Sequence, residues 1–386
     1  MVAGHDSLST PLARRVRAAI ADAGGWLPFD RFMALVLYQP GLGYYTRGAA
    51  QIGHWPAGGP AGAPGAGPEG SDFVTAPELS PLFGAALAVQ VGQALEATGT
   101  DTVWEFGAGT GALAAQLLDA LGGRVRRYVI VDLSGALAAR QRARLAPFGD
   151  RVDWVAAWPD RLDGVVVGNE VLDAMPVQLL HWDGRAWHER GVGLAGDGDG
   201  DDDREAAPRF AWVDRPTALR PPVEGRFVPG SVTEIHPQAE AFVRTLAAAM
   251  GRAAAFFIDY GFPDAEYYHP QRIGGTLMCH RGHRADPDPL VDVGAKDITA
   301  HVDFSAIALA AQDAGLEVLG YTSQARFLIN CGLPALMAAA DLPARHAARR
   351  LIDEHEMGEL FKVIGLAKGA PFDAVGFAAG DRTHRL

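Results

Sequence analysis

The sequence is short of cysteine, of long apolar runs and of clustered positive charge, and each shortage removes a class of protein. Cys279 and Cys331 are the only cysteines among 386 residues, too few for a disulfide framework, so a reducing compartment is the natural setting. No apolar stretch reaches the roughly 18 residues of a membrane span, and no membrane insertion is expected. Arg14, Arg15 and Arg17 interrupt the only early hydrophobic stretch, which argues against a secretory signal core. The Arg-bearing segment 12–23 has the look of a mitochondrial transit peptide, but Asp6 and Asp22 speak against it, and a cytoplasmic location is expected. With 34 Lys plus Arg against 46 Asp plus Glu, the formal net charge is -12. Without a long basic run to meet a phosphate backbone, no nucleic-acid partner is expected.

What is present is ample apolar material, 48% of the chain, enough for one large α/β core or two smaller ones. Residues 56–70 are nearly all Pro, Gly and Ala, and 195–207 are mostly Gly and Asp; both read as insertion loops. In the second, Asp197, Asp199 and Asp201 imitate a calcium loop. Asp202 and Pro208 stand where such a loop needs Gly and Glu, and a solvated acidic loop accounts for the charge.

Elsewhere, short β-branched runs alternate with helical patterns, the rhythm of a parallel βαβ sheet. Strands are expected at 103–106, 128–132, 152–155 and 165–168, with helices at 111–121 and 134–145. Strand-like pieces around Trp182, Trp187, Trp212 and Phe227 predict an inserted β subdomain. The sheet then resumes at 253–260, Asp303 opens a helix that stops at Gly315, and a late strand pair at 317–322 and 361–367, separated by a helical stretch at 334–354, forms an antiparallel edge. Four parts follow. Residues 1–100 are an N-terminal helical cap with a Gly/Pro-rich loop, and 101–176 begin a Rossmann-like core. Residues 177–250 hold the inserted β-rich subdomain and a helix, and 251–386 complete the core.

The segment Val103 to Gly111 runs from a strand into a glycine turn and on to an Ala/Leu-rich helix. Gly107, Gly109 and Gly111 permit a sharp turn and close approach of a ligand. The next strand ends in Asp132, placed to accept both hydroxyls of a ribose. Gly107, Gly109 and Ala112 also satisfy the dinucleotide pattern, so a nicotinamide cofactor stays open on these residues alone. Glu105 favours a methyl donor carrying an amino-acid moiety, because a carboxylate there attracts an ammonium group and repels a pyrophosphate. The bland alternative is a tight strand-to-helix turn with Asp132 as a surface cap.

Further segments carry a family resemblance. They are Pro40 to Tyr45, Gly70 to Ser80, Glu105 to Gly111, Gly168 to Pro176, Ile258 to Gly261 and Asp297 to Phe304. In this order the chain resembles the MidA family of methyltransferases, whose mitochondrial members are complex I assembly factors that methylate protein arginine. The resemblance covers nearly the whole chain, apart from the two insertions. It implies a seven-stranded class I methyltransferase sheet, S-adenosyl-L-methionine as donor and a protein substrate.

Methyl transfer from a sulfonium is an in-line displacement, so positioning and water exclusion matter most. An arginine acceptor is protonated, with a pKa above about 12, and needs carboxylates to orient it and to take a proton. Glu170 and Asp173 are the first candidates, with Asn169 beside them at the strand end; the competing reading is a helix N-cap with dipole-favoured acids. Thr75 and Glu78 are candidate donor contacts at a helix opened by Pro77, or else a capping box. Asp259 and Tyr260 are expected to end a strand as a cleft wall. Cys279, His280 and His283 lack a fourth partner for zinc, so no metal is expected, and with Arg281 and Arg284 the two histidines read as a polar loop. His301 is a lone histidine of the same kind. A nicotinamide-dependent oxidoreductase and a donor-binding assembly chaperone without catalysis are the competing functions.

Overall fold

Valine-rich runs, buried on both faces, build a large mixed sheet. The computed structural model describes residues 10–47, 74–132, 137–195, 209–225, 227–281, 284–369 and 371–386. The segment 56–70, residues 70–73, the acidic stretch 196–208 with its calcium-loop likeness, and His283 lie outside them. The chain divides into two compact units.

The larger unit comprises Gln51–Asp173, Ala239–Asp264 and His301–Leu386. Its sheet contains β1 (Thr102–Phe106), β2 (Arg127–Val131), β3 (Val152–Val155), β4 (Leu162–Asn169), β5 (Met250–Phe262), β6 (Glu317–Ser323) and β7 (Phe361–Lys368). Their spatial order is β6-β7-β5-β4-β1-β2-β3, and the short strand Val302–Asp303 pairs with β5. Neighbours from β5 through β4, β1 and β2 to β3 run parallel. β7 is antiparallel to both β5 and β6, so the expected antiparallel pair is one inner strand, with β6 parallel to the rest. The fold is therefore mixed α/β around a mostly parallel sheet.

Val103, Val165, Val167, Phe256 and Ile258 join one buried cluster with the helices α1 (Ala76–Leu79), α2 (Pro81–Thr98) and α3 (Ala112–Leu121). Each large apolar side chain buried there contributes roughly 1.5–3 kcal/mol. Ser80 caps α2, accepting from the Leu82 amide at 3.3 Å, and Gly99 at φ 62° ends it. A Cβ at Gly84 would lie 2.4 Å from Gln116 Cβ, so glycine lets α2 and α3 meet. α2 was expected within an N-terminal cap. It belongs to the sheet unit because its Phe, Leu, Val, Ala and Gly residues are buried around much of its circumference. A fourth helix, α4 (Ala138–Leu145), follows β2. Asp303 caps the helix Phe304–Asp313 as expected, accepting from the Ala306 amide at 3.1 Å. The stretch 334–354 breaks in two at Asp341, whose carboxylate caps Leu342–Ile352.

The smaller unit comprises Met1–Ala50, Ala174–Gln238 and Ala265–Ala300. Helices Pro11–Asp22 and Phe29–Tyr38 accompany a five-stranded sheet of Leu27–Pro28, Gln178–Trp182, Trp187–Ala195, Arg209–Pro216 and Val232–Ile235. Phe227 lies outside any strand, its ring 4.7 Å from that of Trp187. A separate three-stranded sheet, Met278–Arg281, Arg284–Asp286 and Asp297–Thr299, has no counterpart in the sequence reading, since its strands are too short to show a period. It clusters with this unit and not with the core.

Candidate functional site

Strand register brings three expected residues to one level. Phe106 pairs with Val131 on one side and Gly168 on the other, so Gly107 and Asp132 leave the sheet level with Asn169, the last residue of β4, at its carboxyl edge. This is also where chain order reverses, since β1 leads outward to β2 and β3 while β4 lies on its other side, and open α/β sheets bind ligands at such points. Gly107, Gly109 and Gly111 take φ values of 65°, 52° and 82°, a backbone that side chains resist. A Cβ at Gly107 would approach Val171 Cγ2 to 2.9 Å. The turn and the chain after β4 are thus packed together.

α4 braces the turn with two residues that sequence reasoning missed. Gln141 is fully buried; its Nε2 donates to Gly109 O at 2.9 Å and to Asp132 Oδ2 at 3.0 Å, and its Oε1 accepts from Trp154 Nε1 at 3.0 Å. One turn of helix later, Arg144 Nη1 donates to Glu78 Oε1 and Thr110 Oγ1, both at 2.6 Å, while Thr110 also hydrogen-bonds Glu78. Glu78 is thereby held against the glycine turn. Thr75 is extended and makes no side-chain cap bond, so the capping-box alternative is not what this structure forms. Both bracing residues look like ordinary polar positions of an Arg-rich surface helix, and only the fold reveals their partners.

Glu105 lies under the turn, 3% exposed, and accepts a hydrogen bond from Tyr128 Oη at 2.7 Å. Burial pushes its carboxyl up to about 7, against the opposing pull of that hydrogen bond. The same burial holds the Tyr128 phenol well above its ordinary value.

The chain after β4 is shaped by Asp259. Its Oδ2 accepts from the amides of Val171, Leu172 and Asp173 at 3.1, 2.8 and 3.3 Å, and its Oδ1 from that of Tyr260 at 2.9 Å. Burial raises this carboxyl to about 7, and the four amides draw it the other way. Asp259 was expected as a cleft wall at a strand end. It is 1% exposed and β5 continues to Phe262, so its work is to fold the neighbouring loop. Glu170 sits at φ 55°, one of two described non-glycine residues in the left-handed region, a conformation that costs of order 1–3 kcal/mol and persists where surroundings impose it. The Glu170 amide donates to Ile258 O at 2.9 Å. Residues 170–177 form turns and no helix, which overturns the helix-cap alternative. Asn169 Nδ2 donates to Glu170 Oε1 at 2.9 Å, whereas its Oδ1 is buried with no hydrogen-bond partner among the described residues.

The remaining candidates stand on other elements. Cys279 and His280 belong to the three-stranded sheet, where burial pushes the thiol up to about 12 and the imidazole downward. His301 stacks on Tyr260, ring centroids 5.9 Å apart, and touches Phe262.

A family model described as "Putative S-adenosyl-L-methionine-dependent methyltransferase" matches residues 86–322, more than half of the chain. Among solved structures, a Burkholderia thailandensis protein crystallised with S-adenosyl-homocysteine bound is 52% identical, with a TM-score of 0.89 and 100% coverage of both chains. Among curated proteins, the mouse mitochondrial protein arginine methyltransferase NDUFAF7 is 27% identical over 403 aligned positions, 92% of this chain and 84% of its own length. Its Caenorhabditis elegans homolog is 28% identical over 291 positions, 68% of this chain and 65% of the nematode protein, just under two thirds of it.

Proposed function

This chain belongs to that family of S-adenosyl-L-methionine-dependent methyltransferases, and from this premise we propose that it methylates arginine on a protein substrate. Family membership removes the nicotinamide alternative. The site fits the donor: three left-handed glycines make the turn that follows β1, and a carboxylate stands at the end of β2, where a ribose needs an acceptor. Glu105, Gly107, Gly109, Gly111, Asp132, Thr75 and Glu78 are the residues we assign to hold it, Glu105 through the ammonium group of its amino-acid moiety. The strand order supports reading the sheet as the seven-stranded Rossmann-like methyltransferase type, with Val302–Asp303 as an addition. We assign a reducing, cytoplasmic setting to the protein.

The observation that carries the acceptor assignment is the buried Asn169 Oδ1, without a hydrogen-bond partner among the described residues, beside the left-handed Glu170. A guanidinium has five N–H donors and no acceptor, so it suits a site offering an amide oxygen and carboxylates. The donor supplies an electrophilic methyl group on a positively charged sulfur. Asn169 and Asp173 orient the guanidinium, and Glu170 takes the proton that the nitrogen must lose as its new bond to carbon forms. Asp259 fixes the loop on which these residues stand. Names of curated relatives at 27–28% identity support arginine and protein as the acceptor class.

The test is to incubate the protein with deuteromethyl S-adenosylmethionine and lysate from cells lacking it, then locate the label by mass spectrometry. Labelled arginine is expected. Label found only on other side chains, or only on small molecules, would overturn the acceptor assignment.

A further inference from the structure

The donor acid and the glycine turn belong to different strands, yet one buried amide touches both. We propose that Gln141 is a positioning residue that sets how the donor's ribose is read, by fixing the Asp132 carboxylate against the turn. This rests on the donor reading above.

Trp154 fixes which way the Gln141 amide faces. An indole N–H can only donate, so its 3.0 Å contact must meet the amide oxygen of Gln141. That choice leaves the Gln141 NH2 group directed at two acceptors, Gly109 O and Asp132 Oδ2. Arg142, on the same helix, lies over the Trp154 ring at 5.3 Å and helps hold the indole in place. A buried side chain with no exposed surface and all these bonds satisfied has one orientation, and the carboxylate inherits it. Ribose hydroxyls are read as donors by that carboxylate, so the quality of the reading depends on a residue that never touches the ribose. The Gln141 amide also ties the height of the turn to the position of the acid, which suits a ligand that must contact both.

Calorimetric titration of S-adenosylhomocysteine and its 2′-deoxy analogue against wild type, Gln141→Leu, Gln141→Glu and Trp154→Phe tests this. Wild type should lose about thirtyfold in affinity when the hydroxyl is removed, whereas Gln141→Leu should lose no more than about threefold, since the two changes act through the same carboxylate. Trp154→Phe keeps Gln141 and frees its amide to turn over, so it should show an intermediate loss of discrimination, and it serves should Gln141→Leu fail to fold. Gln141→Glu places two carboxyls together, which must share a proton. Relative to wild type at each pH, its affinity should recover at least about tenfold from pH 8.5 to pH 5.5 as that proton is taken up. Discrimination that stays wild-type in Gln141→Leu and Trp154→Phe, or a Gln141→Glu defect unchanged with pH, overturns the proposal. Wild type that binds neither nucleoside overturns the donor reading itself, an outcome distinct from these.

Discussion

The two halves of the site are built on opposite plans. On the donor side, Gly109, Thr110, Asp132 and Glu78 are tied to Gln141 or Arg144 by direct hydrogen bonds. On the acceptor side, Glu170 is held in a left-handed backbone, and Asn169 presents a buried oxygen without a partner among the described residues. A satisfied network is rigid before any ligand arrives. A strained residue beside an unmet acceptor is a site whose bonding is completed by what binds there. On the assignment proposed above, the donor half sets affinity for the nucleoside and the acceptor half sets the rate of transfer.

Asp259 offers the largest separation of the two. Asp259→Ala releases three amides from the loop that carries Glu170 and Asp173, and a misplaced reacting group costs about a hundredfold or more in rate. Initial-rate assays should show that loss while S-adenosylhomocysteine affinity stays within about threefold; an equal loss in both would merge the halves. Asp132→Ala is the mirror image. It should weaken nucleoside binding by about fiftyfold, the worth of charge-assisted hydrogen bonds to a ribose, with little change in turnover once donor is saturating.

Glu105 sharpens the comparison through pH. Its carboxyl is raised by burial from 4.5 to about 7. The unfolded chain ionises it from about 4.5 upward while the folded protein keeps the proton to about 7, so unfolding releases a proton in this window. Stability on its account is full below about 4.5 and is lost as pH rises toward 7. Glu105→Gln should remove on the order of 2 kcal/mol of that decline, measured by urea unfolding at pH 5 and pH 8. The slope should become shallower without vanishing, because Asp259 is raised in the same direction. An unchanged slope would contradict the assignment. Arg144→Met has the smallest expected effect, about 1 kcal/mol of stability, since Arg144 is 31% exposed and its bond to Glu78 is partly screened. A thermal unfolding curve unchanged within error would show that this brace is dispensable.

Much of the core was legible because its strands follow from local pattern. The runs expected at 103–106, 128–132 and 152–155 fall within a residue of β1, β2 and β3, and the glycine turn with its following acid announced the carboxyl edge. What stayed hidden depends on contacts between distant segments. Gln141 reads as a polar position in the run Ala138–Leu145, and nothing local pairs it with Asp132 and Trp154. Asp259 reads as a cleft wall at a strand end, yet it serves amides 86–88 positions away. Glu170 is not a glycine, so no sequence signal announces its positive φ. The short strands of 278–299 gave no period to detect.

The most direct test of the two-plan site is a parallel titration of S-adenosylhomocysteine against wild type, Asp132→Ala and Glu170→Gln, with methyl transfer assayed on the same preparations. That division of the site predicts that Asp132→Ala loses nucleoside binding, whereas Glu170→Gln binds as wild type does and no longer transfers the methyl group. Glu170→Gln that loses binding to the same degree, or that transfers at the wild-type rate, would contradict it.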